Sequence, residues 1–224
     1  MGEALQMVQN EASDLILDAA ERIFAERGFE GATTRAIAEA AGVTLALIHY
    51  HHRSKEALFA SCFNRRAEQI NARRHSLLDE LPIPGASPAE IVEAFIRPSV
   101  ELGRRRGGAV HYGRLLAVVA SGTDQRSRAL TSAAFDDIAQ RFIATFRAAE
   151  PTLDPSRAVQ AYLFATSISV SLMAATGRAA DLGGNDWLKG DTETLIREAV
   201  TFIVGGIKAL TAEGPQTSKG GTKT

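Results

Sequence analysis

The chain has few of the features that secreted, membrane-bound or disulfide-stabilised proteins use. It contains one cysteine, Cys62, among 224 residues, so no disulfide can form within the chain and a reducing compartment is expected. The first ten residues lack a continuous apolar run, so no signal peptide is expected. No apolar run reaches the roughly 20 residues of a membrane span, since the run at 158–176 is interrupted by Gln160 and several Ser and Thr residues. These absences predict a soluble, cytoplasmic protein.

An excess of charge of one sign is also missing. The chain has 25 Lys and Arg residues against 26 Asp and Glu, a net charge of −1, so DNA binding would have to come from a local patch and not from the overall field. No nucleophile lies beside an evident base, and there is no paired-carboxylate spacing or glycine-rich phosphate loop. We therefore expect no enzymatic activity and no cofactor.

Hydrophobic periodicity is helical throughout, without a convincing strand signal. The pattern predicts an all-α fold of about nine helices, three in an N-terminal domain and the remainder in a C-terminal bundle. Its polar positions include Glu21 on the first helix and Arg65 and Arg66 on the connecting helix. The predicted organisation is a disordered arm at 1–12, a helix-turn-helix domain at 13–54, a connecting helix at 55–80, a ligand-binding and dimerisation bundle at 81–211, and a disordered tail at 212–224.

Residues 33–56 (TTRAIAEAAGVTLALIHYHHRSKE) have the pattern of two short helices joined by a tight turn. Thr33 or Thr34 can cap the first helix, Gly42 can end it in the left-handed conformation, and Thr44 can cap the second. The second helix, 45–51, has Ile48 as its evident inward residue. Such a short helix is unstable alone, so its other faces are available to a partner outside the protein.

Residues 16–59 (ILDAAERIFAERGFEGATTRAIAEAAGVTLALIHYHHRSKEALF) resemble the N-terminal domain of the TetR family of transcriptional regulators. The remaining residues match that family only in helix count and order. The resemblance implies a homodimeric repressor in which each subunit places one recognition helix in the major groove of a double-stranded, roughly palindromic operator. It also implies that a small molecule in the bundle releases the DNA. The resemblance depends on the spacing of the Ala19-Ala20 pair, Phe24, Gly28, Thr33-Thr34-Arg35, Ile37-Ala38, Ala41-Gly42-Val43, Tyr50-His51 and Ser54-Lys55-Glu56.

Nine residues are candidate DNA contacts, and their chemistry differs. A hydroxyl at a helix start can receive a phosphate, apolar methyl groups can pack on thymine, and imidazole and phenol groups can reach a base edge or a phosphate. Three readings stay open: Arg35 as a base or a phosphate contact, Leu47 as a core residue, and Lys55 as an ordinary solvated lysine instead of the family's phosphate contact. The candidates are Thr34, Arg35, Thr44, Leu45, Ala46, Leu47, His49, Tyr50 and Lys55.

The histidines at 49, 51 and 52 also suggest a metal site, but consecutive helical residues point about 100° apart and no Cys or carboxylate lies within the cluster. We expect no metal there. His52 stands where the family usually has an aromatic residue. A half-buried imidazole in that position needs a hydrogen-bond partner, so replacing it with phenylalanine is predicted to stabilise the domain.

Two further sets of candidate site residues belong to the C-terminal bundle, one for ligand binding and one for dimerisation. The first mixes apolar bulk with polar tips, which is typical of a ligand cavity, although each member could simply fill the core: Phe95, His111, Tyr112, Arg114, Phe142, Phe146, Tyr162 and Met173. The second combines small residues on one helix with an apolar stripe on another and predicts a four-helix dimer interface: Ala161, Ala165, Ser169, Ile196, Val200, Ile203 and Ile207.

Two other classes of function stay open at this point. One is a small all-α carrier or enzyme that uses the bundle pocket, and the other is a helical adaptor that binds protein through the front domain. Titration with duplex DNA at two salt concentrations separates both from a DNA-binding regulator.

Overall fold

The computed structural model describes residues 2–83, 85–104, 109–174, 181–182 and 191–212. Across these ranges the chain is all-α, as predicted, and has no strand. The helices that build the fold are α1 (Gly2–Gly31), α2 (Thr34–Ala41), α3 (Leu45–His51), α4 (Lys55–Asp79), α5 (Pro88–Arg104), α6 (Ala109–Ser121), α7 (Gln125–Ala149), α8 (Pro155–Ala174) and α9 (Thr192–Ala212).

Helix α1 differs from its prediction at one end. It begins at Gly2 and runs through Ser13, so the arm predicted as disordered at 1–12 is helical from its second residue. The physical reason is that residues 3–12 contain no proline or glycine and several strong helix formers. The glycine-containing segment at 181–185 lies largely outside the described residues, as does the tail beyond residue 212.

The other end of α1 folds as its sequence indicates. Gly28 takes a positive φ of 68°, which breaks the helical path. Phe29 then turns back onto the helix, with its ring 6.1 Å from that of Phe24 and 5.1 Å from that of Phe59. This aromatic cluster sets the direction in which the chain enters α2.

Two hydrophobic cores share helix α4, whose 25 residues span about 37 Å. The first core joins α1, α2 and α3 to the N-terminal half of α4 through residues such as Leu58 and Phe63, and it also contains Tyr112 and Leu115 of α6. The second core joins the C-terminal end of α4 to α5, α7, α8 and α9. Helix α6 of the bundle therefore packs directly on the front domain.

A glycine allows α6 and α8 to approach each other closely. A Cβ added at Gly113 of α6 would lie 2.3 Å from the backbone oxygen of Met173 in α8, so no larger residue fits there. Elsewhere in the bundle, Arg97 of α5 donates to Glu193 at the start of α9 over 2.7 Å.

By length and hydropathy, the described helices include none that could serve as a transmembrane span.

Candidate nucleic-acid interface

The helix-turn-helix forms where the sequence predicts it, with every helix end capped by a neighbouring residue. The Thr33 hydroxyl accepts from the amide of Ala36 over 3.1 Å, and the Thr44 hydroxyl accepts from that of Leu47 over 3.2 Å. Gly42 takes the left-handed conformation at φ 67° and ends α2. Ile48 is fully buried and holds α3 against the front domain. The turn is thus set by local hydrogen bonds, and the buried Ile48 positions the second helix together with the half-buried Leu47.

The outward face of α3 is open to solvent. Tyr50 is 69% exposed and Leu45 is 40% exposed, and Thr44, Ala46 and His49 are exposed beside them. This face combines methyl groups with one imidazole and one phenol, as predicted from the sequence.

Three of the other candidates occupy different environments. Arg35 is exposed on α2, whereas Thr34 is half-buried in the first turn of that helix. Leu47 is also half-buried and packs against the first core. The core reading of Leu47, which the sequence left open, is therefore the one its packing supports.

Lys55 has a structural role that the sequence did not predict. Its ammonium donates to the carbonyl oxygens of Phe29 and Ala32, over 2.9 and 3.2 Å, and lies 4.4 Å from the centre of the Phe29 ring. Arg126 of α7 lies over the same ring at 3.7 Å. Lys55 thus ties the end of α1 to the start of α4, and phosphate binding by its side chain stays a prediction.

His52 is buried at 9% exposure just after α3. Its Nε2 has no hydrogen-bond partner. Burial, and secondarily the charge of His51, lowers the pKa of His52 below its usual value. The neutral imidazole is therefore the favoured form in the folded protein.

We expect His52→Phe to raise the melting temperature by about 2–4 °C, because it removes a buried polar atom without a partner, worth about 1 kcal/mol. The unfolded chain binds a proton near pH 6.5 and the folded chain only at lower pH. Wild-type stability should therefore be complete above pH 6.5 and fall as the pH drops below it. Thermal melts from pH 8 to pH 5 should show a gap between the two proteins that widens on acidification. A lower melting temperature for the variant at pH 7.5 would contradict this.

No group of three or more His, Cys, Asp or Glu side chains in the described part of the chain is arranged to hold a metal ion. Cys62 is buried, which raises the pKa of its thiol well above the usual range and leaves it unreactive.

Comparison with known proteins places this architecture in a family. A family model described as bacterial regulatory proteins, tetR family, matches residues 16–62. A second, described as tetracyclin repressor-like, C-terminal domain, matches residues 93–206, about half of the chain. The chain belongs to the TetR family. Members of this family are transcriptional regulators and not enzymes, so helices α2 and α3 are the DNA-binding helix-turn-helix of a TetR-family regulator.

Individual relatives support the same assignment over different lengths. The repressor AcnR of Corynebacterium efficiens is 50% identical over 55 residues, which cover 25% of this chain and 29% of that protein. The chain therefore matches its curated relatives over less than a third of their length. A putative transcriptional regulator of Pseudomonas aeruginosa PAO1 has the same fold, with a TM-score of 0.61 and 20% identity over 90% of both chains. The Bacillus subtilis regulator FadR, solved in complex with stearoyl-CoA, has a TM-score of 0.62 and 18% identity over 86% of this chain and 97% of its own.

The candidate ligand residues of this TetR-family chain lie in different environments. Tyr112 and Met173 belong to the first core. Arg114 is exposed and His111 is half-buried, so Arg114 does not face the interior. The remaining four lie together in the second core, where the Phe95 ring is 5.0 Å from Phe142 and 5.5 Å from Tyr162: Phe95, Phe142, Phe146 and Tyr162.

The residues predicted for the dimer interface are buried inside the subunit. Ser169 and Ile196 are each 1% exposed, and the other five are at most 8% exposed. Within the subunit, α5 packs against both α8 and α9 and helps to cover these residues. Ala161, Ile203 and Ile207 also line the groove between α8 and α9, so their place in a dimer interface stays a prediction. An apolar stripe of this kind can pack against another helix of the same subunit or against a second subunit. The periodicity of the sequence does not distinguish these two cases.

The uncovered apolar residues of α8 and α9 lie on the neighbouring faces. Leu163 and Phe164 of α8 are 53% and 52% exposed, and Phe202 of α9 is 75% exposed. A groove of about 300 Å³ runs between the two helices and is lined by Phe164, Phe202 and Gly206 among others. The sequence contains a signal for this exposed face, because Phe164 and Phe202 each stand one position away from a buried residue, Ala165 and Ile203 respectively.

Proposed function

We propose that this chain is a homodimeric transcriptional repressor that binds operator DNA through the outward face of α3 and is released by a small molecule bound in the helical bundle. The observation that carries the proposal is the recognition helix itself. It is capped, anchored by the buried Ile48, and exposes Leu45, His49 and Tyr50 to solvent. Binding to chromosomal DNA would place the protein in the cytoplasm.

The proposed interface reads DNA mainly through shape and methyl contacts. Leu45 and Ala46 present apolar surface to thymine methyl groups, while His49 and Tyr50 offer polar tips to base edges or phosphates. Arg35 on α2 is exposed and carries the charge that a phosphate or a guanine edge requires. Thr34 and Thr44, at the first turns of α2 and α3, add hydroxyls at helix N-termini, where phosphates bind well. Lys55 contributes here chiefly by fixing the end of α1.

The proposed dimer forms through the exposed faces of α8 and α9. Two copies related by a two-fold axis would cover Phe164 and Phe202 in a four-helix arrangement. Gly205 and Gly206 have open space where a Cβ would be, so a partner helix can approach closely. An exposed aromatic cluster of this kind is unusual on a monomer.

A contact between α7 and the front domain provides a route from ligand to DNA. Arg126 at the start of α7 stacks on Phe29 and lies 3.7 Å from Glu30, both at the end of α1. Helix α6 packs into the same core as α1. A ligand that shifts α6 or α7 would therefore move α1 and, with it, the separation of the two recognition helices.

The direct test is fluorescence anisotropy with duplex DNA from the region upstream of the gene that encodes this protein, measured at two salt concentrations. The wild-type protein should bind and weaken steeply with salt, because several phosphate contacts release counterions. Tyr50→Ala should lower affinity about tenfold, the loss expected for one good base contact, without changing the melting temperature of the bundle. The matched control is Val118→Ala, which shortens an equally exposed apolar side chain on α6. Absence of binding to every upstream segment would rule out the repressor function.

A further inference from the structure

Arg74 of α4 is buried in the centre of the bundle without a counter-ion. It is 5% exposed, and no carboxylate in the described part of the chain lies within salt-bridge distance of its guanidinium. Burial lowers the pKa of Arg74 to about 10, so the group is charged at neutral pH. A buried charge with no opposite charge is costly, and a ligand that supplies the opposite charge recovers that cost.

The other inward-facing arginines of this part of the molecule are paired with carboxylates. Arg66 contacts the buried Glu21 over 2.9 Å, and Arg97 contacts Glu93 and Glu193 over 2.6 and 2.7 Å. Both are more exposed than Arg74. The most deeply buried of these arginines is thus the one left without an anion.

Two hydrogen bonds of the Arg74 side chain have a structural role. Its Nε donates to the carbonyl oxygen of Phe95 and its Nη2 to the hydroxyl of Ser99, each over 3.1 Å. These bonds brace α5 near Pro98, which has no N–H to donate to Ala94. Two of the five guanidinium N–H groups are used in this way. The guanidinium also lies over the Phe95 ring, 4.0 Å from its centre, and this cation–π contact offsets part of its charge. Neither the brace nor the ring supplies an anion or uses the remaining donors.

Two buried hydroxyls on α6 and α8 also have no hydrogen-bond partner among the described residues. Tyr112 is fully buried and Ser169 is 1% exposed, and both oxygens are unpaired in the structure. Burial raises the pKa of Tyr112 well above its usual range, and the charge of Arg74 acts in the opposite direction on the same hydroxyl. Tyr112 and Arg74 are therefore close enough to interact electrostatically.

The packing of α8 beside α5 places Ser169 at about the same height in the bundle as Ser99. The rings of Phe95 and Tyr162 are 5.5 Å apart, and a Cβ at Gly103 would lie 3.2 Å from Met173. Helices α5 and α8 thus run side by side in the same direction. Ser99 lies between these two contacts on α5, and Ser169 lies between them on α8.

We propose that this cluster binds the effector and that the effector is a small organic carboxylate with an apolar body, an inference that rests on the proposed function. The carboxylate pairs with Arg74 and accepts from the hydroxyls of Tyr112 and Ser169. The apolar body lies against Phe95, Phe142 and Tyr162, whose rings pack edge to face in the structure and must move apart to admit it. A carboxylate fits better than a phosphate, because one guanidinium balances one negative charge and a dianion would leave an uncompensated charge buried.

Such a ligand would connect three helices that form different parts of the protein. Arg74 belongs to the connecting helix α4, Tyr112 to α6, and Ser169 to α8 beside the proposed dimer face. Since Tyr112 is part of the same core as α1, drawing its hydroxyl toward a carboxylate moves the helix on which the front domain rests.

The test uses the full-length protein with two acids, phenylacetate and octanoate, and their neutral amides, phenylacetamide and octanamide. Isothermal calorimetry should show binding of at least one acid, and its amide should bind at least tenfold more weakly, because only the acid pairs with the charge. The bound acid should also raise the melting temperature. Equal binding of acid and amide, or no binding of either acid at millimolar concentration, would overturn the proposal.

Variants separate the role of Arg74 from general destabilisation. Arg74→Met should lower acid affinity at least tenfold and abolish the preference over the amide, whereas Arg73→Met, which removes a half-exposed charge one position away, should leave both unchanged. If Arg74→Met does not fold, Tyr112→Phe and Ser169→Ala keep the charge and remove one unpaired hydroxyl each. Both should lower acid affinity several-fold, and unchanged acid binding in both would contradict the proposal.

Operator binding is measured in parallel, so that a failure of the proposed repressor function can be distinguished from a failure of the proposed carboxylate site. If acids bind and no operator does, the repressor function fails while the carboxylate site stands. If the operator binds and acids neither bind nor release it, the function stands and this inference fails.

Discussion

Replacing Glu21 with alanine is expected to destabilise the protein by about 3 kcal/mol, the lower end of the range for breaking a buried ion pair. Glu21 is fully buried between α1 and α4, where its Oε2 accepts from Arg66 over 2.9 Å and lies 3.5 Å from Arg65. The two arginines would lose the anion that holds them between the helices. They are 15–16% exposed and keep Asp18 as a partner, which is why the upper end of the range is not expected.

Chemical denaturation of the full-length protein measures this loss directly. Glu26→Ala is the matched control, because Glu26 is exposed on the same helix, and its effect should stay within about 0.5 kcal/mol. Glu21→Gln should fall between the two, since the amide can still accept from Arg66 but lacks the charge. An effect of Glu21→Ala no larger than that of Glu26→Ala would show that the buried contact contributes nothing to stability.

Introducing a charge at Phe202 is expected to separate the proposed dimer and to weaken operator binding at least 100-fold. Phe202 is 75% exposed in the subunit, so Phe202→Glu should not disturb the fold. In the dimer the same position would bury two carboxylates against apolar surface, which costs several kcal/mol. A monomer engages one half-site at a time and loses the gain in effective concentration that links the two recognition helices.

Light scattering at micromolar concentration and anisotropy with the operator duplex report the two effects. Val118→Glu places the same charge on an exposed apolar position of α6 and should remain dimeric with unchanged DNA affinity. A wild-type protein that is already monomeric would refute the dimer, and a Phe202→Glu protein that stays dimeric would refute this face as its interface.

The front domain could be predicted from sequence because its structure depends on neighbours in the chain. Thr33, Gly42 and Thr44 act on residues within four positions of themselves, so their roles are local. Ile48 was identified as the inward residue of α3, where it is the one fully buried residue. The cap of α4 is equally local, because the Ser54 hydroxyl accepts from the Ala57 amide.

Other positions have partners that are far away in the chain. Glu21, Arg65 and Arg66 occupy polar positions of helical patterns, and they form a buried network because α1 and α4 pack face to face. Lys55 matches a phosphate-contacting pattern, and in the structure its ammonium binds two carbonyl oxygens more than 20 residues earlier. Charge and spacing do not reveal such contacts, because a lysine or glutamate has the same local signature whether its partner is water or another helix.

The sequence by itself determined the all-α class, the caps of the helix-turn-helix, the face of α3 that is open to solvent, and the family. All of these follow from interactions within one turn or one short motif. Only the tertiary structure decided which stripe of α8 and α9 faces the core, that Lys55 is engaged with the end of α1, and that Arg74 is buried without a counter-ion. Those features depend on how helices distant in the chain pack against one another, and amphipathic patterns specify that a face is covered without specifying what covers it.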